Sequence, residues 1–301
     1  MGERIKTVCS KLWQSKISYA FLAPFAIVFI LFTVLPVLIS VFYGFTYNNI
    51  FEPVKWVGFN NYIRLFTKDD VFLTALQNTL VFALVTGPAG YLLSYLVAWL
   101  INELGQALRT LFVLVFYSPT IAGSVYIIFA TLFSGDVYGY INGTLIRLGI
   151  ITDPIEWLVD PRYMKAVIII CVIWSSMGAG FLSFVAGFKN IDKQYYEAAA
   201  IDGLRNRWQE LWYVTLPMMK PQLLFGAVMS ITGAFSIHEV TVALTNFPST
   251  DNATHTIVNH MWDYGYLRFE MGYASAIAVI LFLLMMVSRK LVVKLLDRLG
   301  K

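Results

Sequence analysis

Six runs of about twenty mostly apolar residues divide this sequence, and they constrain its fold more than any other feature. An α-helix rises 1.5 Å per residue, so about 20 residues cross the roughly 30 Å hydrocarbon core of a bilayer. The sequence therefore predicts an all-α, polytopic membrane protein with six transmembrane helices. We place the spans at about 19–43, 72–100, 108–133, 164–187, 217–237 and 271–293.

Composition excludes an ordinary soluble domain. Hydrophobic residues make up 58% of the 301 residues and the mean hydropathy is +0.67, whereas soluble domains are about 45–50% apolar. The net charge of +4 is too small and too scattered to indicate a nucleic-acid partner. Cys9 lies in the N-terminal tail and Cys171 in an apolar run, so no disulfide framework is expected.

The first span is interpreted as an uncleaved anchor. Basic residues precede an apolar stretch that runs from about Tyr19 to Phe42. This stretch is longer than the roughly 7–15 residues of a signal-peptide core, and no convincing small-residue cleavage site follows it. Residues 1–18 are then a cytoplasmic tail and residues 19–301 the transmembrane domain. Residues 139–150 are predicted to form a short interfacial helix rather than a span.

Lysine and arginine are distributed unequally between the two sides of the predicted spans. One side comprises both termini, the loops 101–107 and 188–216, and the adjoining charges at the span edges. It holds 15 Lys/Arg and 7 Asp/Glu, whereas the other side holds 7 and 11. Because cytoplasmic loops carry the excess of Lys and Arg, both termini and the 188–216 loop are predicted to be cytoplasmic.

The 188–216 loop is the one substantial, richly charged segment between two spans. Asp192 is suited to cap the start of a helix that runs from Lys193 to Ile201. Three consecutive alanines within it favour the helix, and Gly203 can adopt the left-handed conformation that ends one. Pro217 suits the first turn of the fifth span, where its missing N–H is not needed.

The order of residues in this loop indicates more than a solvated connection. The ordered set consists of Glu197, Ala198, Ala199, Asp202, Gly203, Leu216, Pro217 and Pro221. The segment resembles the EAA loop of permease subunits from binding-protein-dependent ABC importers of the type I fold.

Further stretches resemble the sugar-permease branch of that family, in the same order, and cover nearly the whole chain. The similarity is to the first-named permease of an oligosaccharide system, the maltose-importer type without its extra spans and large external insert. These stretches are 23–24, 36–40, 56–62, 78–80, 116–119, 155–161 and 269–276.

The resemblance implies a transmembrane subunit of an ATP-driven importer that translocates a sugar, in particular an oligosaccharide, across the bacterial cytoplasmic membrane. Its implied partners are a second related permease, two ATPase subunits, an extracytoplasmic sugar-binding protein and membrane lipid. ATP and Mg would bind the ATPases, and this chain would hold no cofactor. The implied ATPase-coupling residues are Glu197, Ala198, Ala199, Asp202, Gly203, Leu216 and Pro217.

One spacing departs from the family pattern. Nine residues usually separate the motif glycine from the hydrophobic residue three positions before the proline of Leu-Pro, but Gly203 and Val214 enclose ten. An added residue would turn a continuous helix by about 100°. We therefore expect the added residue to enlarge the link around residues 205–209 and to leave the helix from Lys193 to Ile201 intact.

No catalytic or metal-binding constellation is predicted, so the chain is not expected to be an enzyme. The sequence lacks the phosphate-binding pattern G-x-x-x-x-G-K-[ST]. His238-Glu239 begins like a zinc-protease motif, but Val242 occupies the position of the second histidine. His255 and His260 are placed in an external loop without a cysteine or carboxylate set at ligand spacing.

Small and polar residues inside spans are candidates for a substrate path, because polar side chains in a span usually face the bundle interior rather than lipid. The resemblance implies sugar-contacting positions near Ser176 and Ala179, and near Ser230, Gly233, Ala234 and Ile237. Trp174 and Phe235 are added as aromatic side chains on which a sugar ring could stack. A buried tryptophan in a membrane helix more often packs against other side chains. The stripe Gly226, Ser230 and Ala234 favours helix–helix packing.

Three alternatives remain open at the level of sequence. A permease of the same fold could import another solute, such as a phosphodiester, an amino acid or a metal chelate. A stand-alone channel would need no ATPase. A membrane-embedded enzyme would need a reactive constellation within the spans, and the sequence shows none.

Overall fold

The computed structural model describes residues 16–123 and 125–297. Most of the predicted tail 1–18, including Cys9, lies outside them. The described residues are helical apart from loops and one short antiparallel pairing of β1 (Thr46–Tyr47) with β2 (Lys55–Trp56). The predicted all-α class is confirmed.

The helices follow one another in chain order with short connections. The α-helices are α1 (Lys16–Phe29), α2 (Leu35–Tyr43), α3 (Asn60–Thr67), α4 (Asp70–Asn102), α5 (Gln106–Ala122), α6 (Val125–Leu132), α7 (Tyr140–Arg147), α8 (Pro161–Trp174), α9 (Ala179–Asn190), α10 (Lys193–Ile201), α11 (Arg207–Glu210), α12 (Leu216–Met218), α13 (Lys220–Phe235), α14 (Glu239–Thr245), α15 (Ile257–Trp262) and α16 (Met271–Leu296). Single π-helical turns lie at Ile30–Val34, Leu211–Thr215 and Asp263–Leu267, and a 3₁₀ turn at Thr250–Asn252.

Four helical stretches among the described residues are long and apolar enough to cross a bilayer: Lys16–Tyr43, Asp70–Asn102, Pro161–Asn190 and Met271–Leu296. Two sharply bent pairs, α5 with α6 and Arg207–Met218 with α13, bring the number to six if each pair is one span. The short helix α7 lies where the sequence predicts an interfacial helix.

The fifth span bends by 80° at its start, between Arg207–Met218 and α13. Met219, at the bend, has φ −88° and ψ 8°, outside the usual helical values. Pro217 and Pro221 flank it, and each lacks the N–H needed to continue a helix from the preceding turn. The prolines therefore separate a segment that leads into the bundle from the membrane helix itself.

The fourth span is interrupted between α8 and α9. Residues 175–178 are not helical, so backbone carbonyls there need other donors. The Thr120 hydroxyl donates to Met177 O at 3.1 Å and the Ser94 hydroxyl to Ser176 O at 3.3 Å. Neighbouring helices thus supply hydrogen bonds to the backbone carbonyls at the break. Irregular backbone at membrane depth is tolerated only when it is buried in protein in this way or lines a water-filled cavity.

Helices α4, α9 and α13 pack against one another and form the centre of the bundle. A Cβ on Gly180 would lie 3.3 Å from Gly226 Cα, so α9 and α13 touch through their backbones. Gly226 and Ala234 are buried, and the Ser230 hydroxyl donates to Gly87 O of α4 at 2.7 Å. The predicted packing role of this small-residue stripe is confirmed.

The position of the extra residue after Gly203, expected around residues 205–209, stays a prediction. At Leu211–Thr215, just after that stretch, the helix forms a π-helical turn, closed by a bond from Leu216 N–H to Leu211 O. A π-turn holds one more residue than an α-turn, so this turn can also accommodate an added residue. The link before it is ordered, because the Asn206 side chain caps α11 by accepting from Gln209 N–H at 2.8 Å.

Candidate functional site

Helix α10 is capped at both ends, as the sequence predicts. The Asp192 carboxylate accepts from Gln194 N–H at 3.1 Å. Gly203 has φ +97°, and its N–H donates to Ala200 O while Leu204 N–H donates to Ala199 O, at 3.2 and 3.0 Å. This pair of bonds is the Schellman motif, which requires a left-handed residue where glycine is favoured.

One face of α10 attaches it to the bundle and the rest is exposed. The Tyr196 hydroxyl lies 3.0 Å from Thr215 Oγ1 of the π-turn, and Ala199 is buried. Glu197, Ala198 and Asp202 are exposed. Leu216 and Pro217 lie in α12, directly after the π-turn, so the Tyr196–Thr215 contact connects α10 to the segment that enters α13.

The surroundings of α10 include contacts that the sequence did not predict. Arg207 pairs with Glu103 at 3.3 Å and with Glu210 at 2.7 Å, and the rings of Trp99 and Trp208 lie 5.2 Å apart. These pairs join the α4–α5 connection to the α10–α12 link. We call this end of the bundle the coupling end, and the opposite end, at Asp69, the distal end.

A central cavity of about 610 Å³ lies between α4, the α8–α9 break, α13 and the start of α14. Its volume falls within the roughly 300–1,000 Å³ typical of small-molecule sites. Six of the predicted path residues line it: Ser176, Ala179, Ser230, Gly233, Ala234 and Ile237.

Two predicted aromatic platforms lie elsewhere. Trp174 lines a separate pocket against α5 and α6, and it is 56% exposed there. Phe235 is buried in the hydrophobic core beside α16. The aromatic rings at the cavity wall are instead Tyr91, Tyr126 and two phenylalanines of α9. The spans that contain these residues also contain many other aromatic residues, so the sequence alone could not identify the ones that line the cavity.

The hydroxyl groups of the predicted serines are already used for packing. Ser176 donates to Ile173 O at 2.7 Å and Ser230 donates to Gly87 O at 2.7 Å. Each hydroxyl oxygen can still accept a hydrogen bond. Ser236 is exposed and lines the cavity, and its hydroxyl makes no hydrogen bond to the part of the chain that the structure describes.

The distal part of the cavity carries its ionisable groups. The Tyr126 hydroxyl donates to a Glu239 carboxylate oxygen at 2.9 Å. His238 Nδ1 lies 2.8 Å from Asn259 Oδ1, an acceptor, so Nδ1 carries the proton in the neutral ring. Glu239 is exposed to the cavity because α13 ends at Phe235 and the chain restarts as α14.

Behind the cavity, the distal end contains a buried polar network. Asp69 caps α4 by accepting from Phe72 N–H at 2.9 Å, and it also accepts from Tyr273 and His260 at 2.7 and 3.0 Å. Burial raises the pKa of Asp69, but these hydrogen bonds outweigh it and hold that pKa well below its usual range.

The network continues from His260 Nδ1 to His255 Nε2, 3.1 Å away. Burial, followed by the neighbouring His260, lowers the pKa of His255 to about 4. His255 Nδ1 is buried and finds no hydrogen-bond partner among the described residues, as expected for the acceptor nitrogen of a neutral ring. The histidines placed in an external loop are thus part of the core.

No group of three or more His, Cys, Asp or Glu side chains in residues 16–123 and 125–297 is arranged to hold a metal ion. Cys171 is buried and unpaired there. The arrangement offers a cavity with hydroxyl, aromatic and carboxylate groups at the centre, and a capped exposed helix at one end.

Comparison with known proteins agrees with this architecture. The chain is 31% identical to the lactose transport system permease protein of Rhizobium radiobacter over 90% of each chain. It is 30% identical to the arabinooligosaccharides transport system permease protein of Bacillus subtilis, over 92% of this chain and 87% of that one. A crystal structure of a bacterial ABC transporter involved in alginate import has the same fold, with a TM-score of 0.76 and 23% identity over 98% of this chain and 100% of that chain.

A family model described as "binding-protein-dependent transport system inner membrane component" matches residues 88–299. This range includes the capped helix α10, the last four predicted spans, the end of the second span and every residue that lines the central cavity except Thr86. The chain is a membrane protein and a permease of the ABC transporter class, and it belongs to the family of binding-protein-dependent transport system inner membrane components.

Proposed function

We propose that this chain carries an oligosaccharide across the bacterial cytoplasmic membrane as one of two permease subunits of an ATP-driven importer. The observation that carries the proposal is α10, which is capped at both ends and attached by Tyr196 and Ala199 but otherwise exposed. A short rigid helix at one end of a bundle with a central cavity is suited to receive force from a separate protein.

The sugar is proposed from the relatives and from the cavity. The two relatives named above are permeases for lactose and for arabinooligosaccharides. The cavity offers hydroxyl groups, the aromatic rings of Tyr91 and Tyr126, and a carboxylate at Glu239. These groups match the hydroxyl groups and apolar ring faces of a saccharide.

The orientation follows from charge. The coupling end contains the 101–107 and 188–216 loops, on the side that holds 15 of the 22 Lys and Arg residues. An excess of these residues marks the cytoplasmic side. Both termini and α10 then face the cytoplasm, where two ATPase subunits dock on this chain and on a second, related permease. ATP and Mg bind those ATPases.

The transport step is alternating access, coupled through α10. Closure of the ATPases on ATP moves α10, and the Tyr196–Thr215 contact passes that movement to the π-turn and then to α13. Helix α13 carries Ser230 and Gly233 into the cavity. ATP and the loaded binding protein shift the equilibrium only if they bind the outward-open state more tightly than the inward-open state.

The test is reconstitution of the importer in liposomes with its ATPases, second permease and binding protein. We expect ATP-dependent uptake of at least one compound from a panel of arabino-, galacto-, gluco- and chito-oligosaccharides. Uptake only of a phosphodiester, an amino acid or a metal chelate would replace the sugar but keep the importer. Flux without the ATPases would indicate a channel and overturn the proposal.

The partners are tested separately by gentle affinity purification from the native membrane and mass spectrometry. The expected result is a Walker-type ATPase together with a second permease that carries an EAA segment. If neither copurified under conditions that preserve other membrane complexes, the docking role of α10 would be excluded.

A further inference from the structure

Within residues 16–123 and 125–297, the side chains that line the central cavity include an acidic group but no lysine or arginine. Among the described residues that line it, Glu239 is the only acidic residue, and none is lysine or arginine. His238 is the only other lining residue that is commonly charged near neutral pH, and its Nδ1 is occupied by Asn259 at 2.8 Å. This chain therefore offers a solute a negative charge and no permanent positive one.

Glu239 is held at the cavity wall in a defined way. One carboxylate oxygen accepts from the Tyr126 hydroxyl at 2.9 Å, and this bond connects α14 to α6. No lysine or arginine forms an ion pair with Glu239 in the part of the chain that the structure describes. The carboxylate is exposed, and its second oxygen remains available to a solute.

A carboxylate accepts hydrogen bonds and donates none when it is ionised. It therefore complements the hydroxyl groups of a neutral sugar, which donate. A uronic acid unit brings its own carboxylate, and two like charges at contact distance repel each other. Arg and Lys are the usual partners of carboxylate ligands, and the lining described above contains neither.

We propose that Glu239 makes this permease selective for uncharged oligosaccharides and excludes oligosaccharides that carry carboxylates. The inference rests on the proposed function, since it specifies the solute of the same cavity. The likeness to an alginate importer, at 23% identity, shows the shared fold and does not decide the charge of the solute.

The experiment measures direct binding to the purified importer complex in nanodiscs, without nucleotide and without binding protein. The ligands are the oligosaccharide found in the uptake assay, its derivative with one primary hydroxyl oxidised to a carboxylate, and the uncharged amide of that derivative. We expect the carboxylate to bind the wild-type complex at least tenfold more weakly than the parent sugar. The amide, which has nearly the same shape, should bind within threefold of it.

Glu239→Gln keeps the size and an acceptor for Tyr126 but removes the charge. In this variant the carboxylate derivative should bind within threefold of the parent sugar. Glu52→Gln is the matched control, because Glu52 lies in the exposed β1–β2 loop and its ion-pair partner among the described residues is Lys55. This control should discriminate as the wild type does.

Three results would overturn the inference. The carboxylate derivative could bind the wild-type complex as tightly as the parent, or the discrimination could persist in Glu239→Gln. The sugar found in the uptake assay could itself be acidic, which would leave the proposed importer intact. If no saccharide were imported or bound, the proposed function would fail, and the inference with it.

Discussion

The distal and coupling ends of this bundle are stabilised in opposite ways. At the distal end the polar groups are buried, with Asp69 9%, His255 3% and His260 1% exposed. At the coupling end large apolar side chains face outward, with Ile201 86% and Trp208 67% exposed. A buried hydrogen-bonded network holds its groups in one arrangement, whereas exposed apolar side chains are available for contact with another molecule. We therefore expect a partner to bind at the coupling end rather than at the distal network.

The strongest test of this contrast is removal of Asp69. Asp69→Ala leaves His260 and Tyr273 buried without their acceptor and uncaps α4. Each buried group left without its hydrogen-bond partner costs about 1–3 kcal/mol. We expect a clearly lower free energy of unfolding, measured by denaturant titration in detergent. Asp70→Ala, at the exposed neighbouring position, is the control and should change it by about 1 kcal/mol or less.

Acidification tests the same end without a mutation. The pKa of His255 is lowered to about 4 in the fold, against about 6.5 in the unfolded chain. The unfolded state therefore binds more protons between these values, so this contribution is complete above pH 6.5 and is lost as pH falls towards 4. We expect a loss of about 2 kcal/mol between pH 7.5 and pH 5.

The measurement is the unfolding midpoint at both pH values for the wild type and for His255→Asn. The variant lacks the titrating ring and should lose less stability on acidification. An equal loss in both proteins would show that another group dominates this range.

Gly203→Pro tests the coupling end. Proline fixes φ near −65° and lacks an N–H, so it cannot adopt the φ of +97° or donate to Ala200 O. The expected result is at least a tenfold loss of ATP-driven uptake while the complex remains in the membrane. Uptake and subunit stoichiometry are measured together, and Gly203→Asn is the control because asparagine tolerates the left-handed region.

Glu197→Lys reverses an exposed charge on the same helix. We expect uptake to fall while the unfolding midpoint stays within about 1 °C of the wild-type value, because surface substitutions change stability little. Wild-type uptake by a correctly assembled complex of either variant would refute the docking role of α10.

The smallest effect is expected for Arg207→Ala. Arg207 pairs with Glu103 and Glu210, but its side chain is 64% exposed. Exposed ion pairs contribute roughly 0–1 kcal/mol, so the free energy of unfolding should change by less than about 1 kcal/mol. A loss as large as that of Asp69→Ala would remove the contrast between the two ends.

Much of the fold could be predicted because its causes are local. Apolar length predicts the membrane spans, and the caps at Asp192 and Gly203 are set within a few residues of α10. Small-residue spacing likewise predicted the packing stripe of α13. Each of these patterns acts through neighbours along one helix.

The remaining features depend on contacts between distant segments. Asp69 and His260 meet across 191 positions, and Tyr126 and Glu239 across 113. Trp174 and Phe235 have the right chemistry for a sugar platform, but the break between α8 and α9 and the end of α13 turn them away from the cavity. Such outcomes are decided by packing, which no single segment encodes.

The π-turn at Leu211–Thr215 affects how α10 is rotated relative to the segment that enters α13. Each residue of an α-helix rotates the chain by about 100°, so a residue added to an α-helical link would turn α10 to a different side of the bundle. The wider turn takes up that rotation locally. A protein built this way can change the length of its link while keeping α10 on the same side of the bundle.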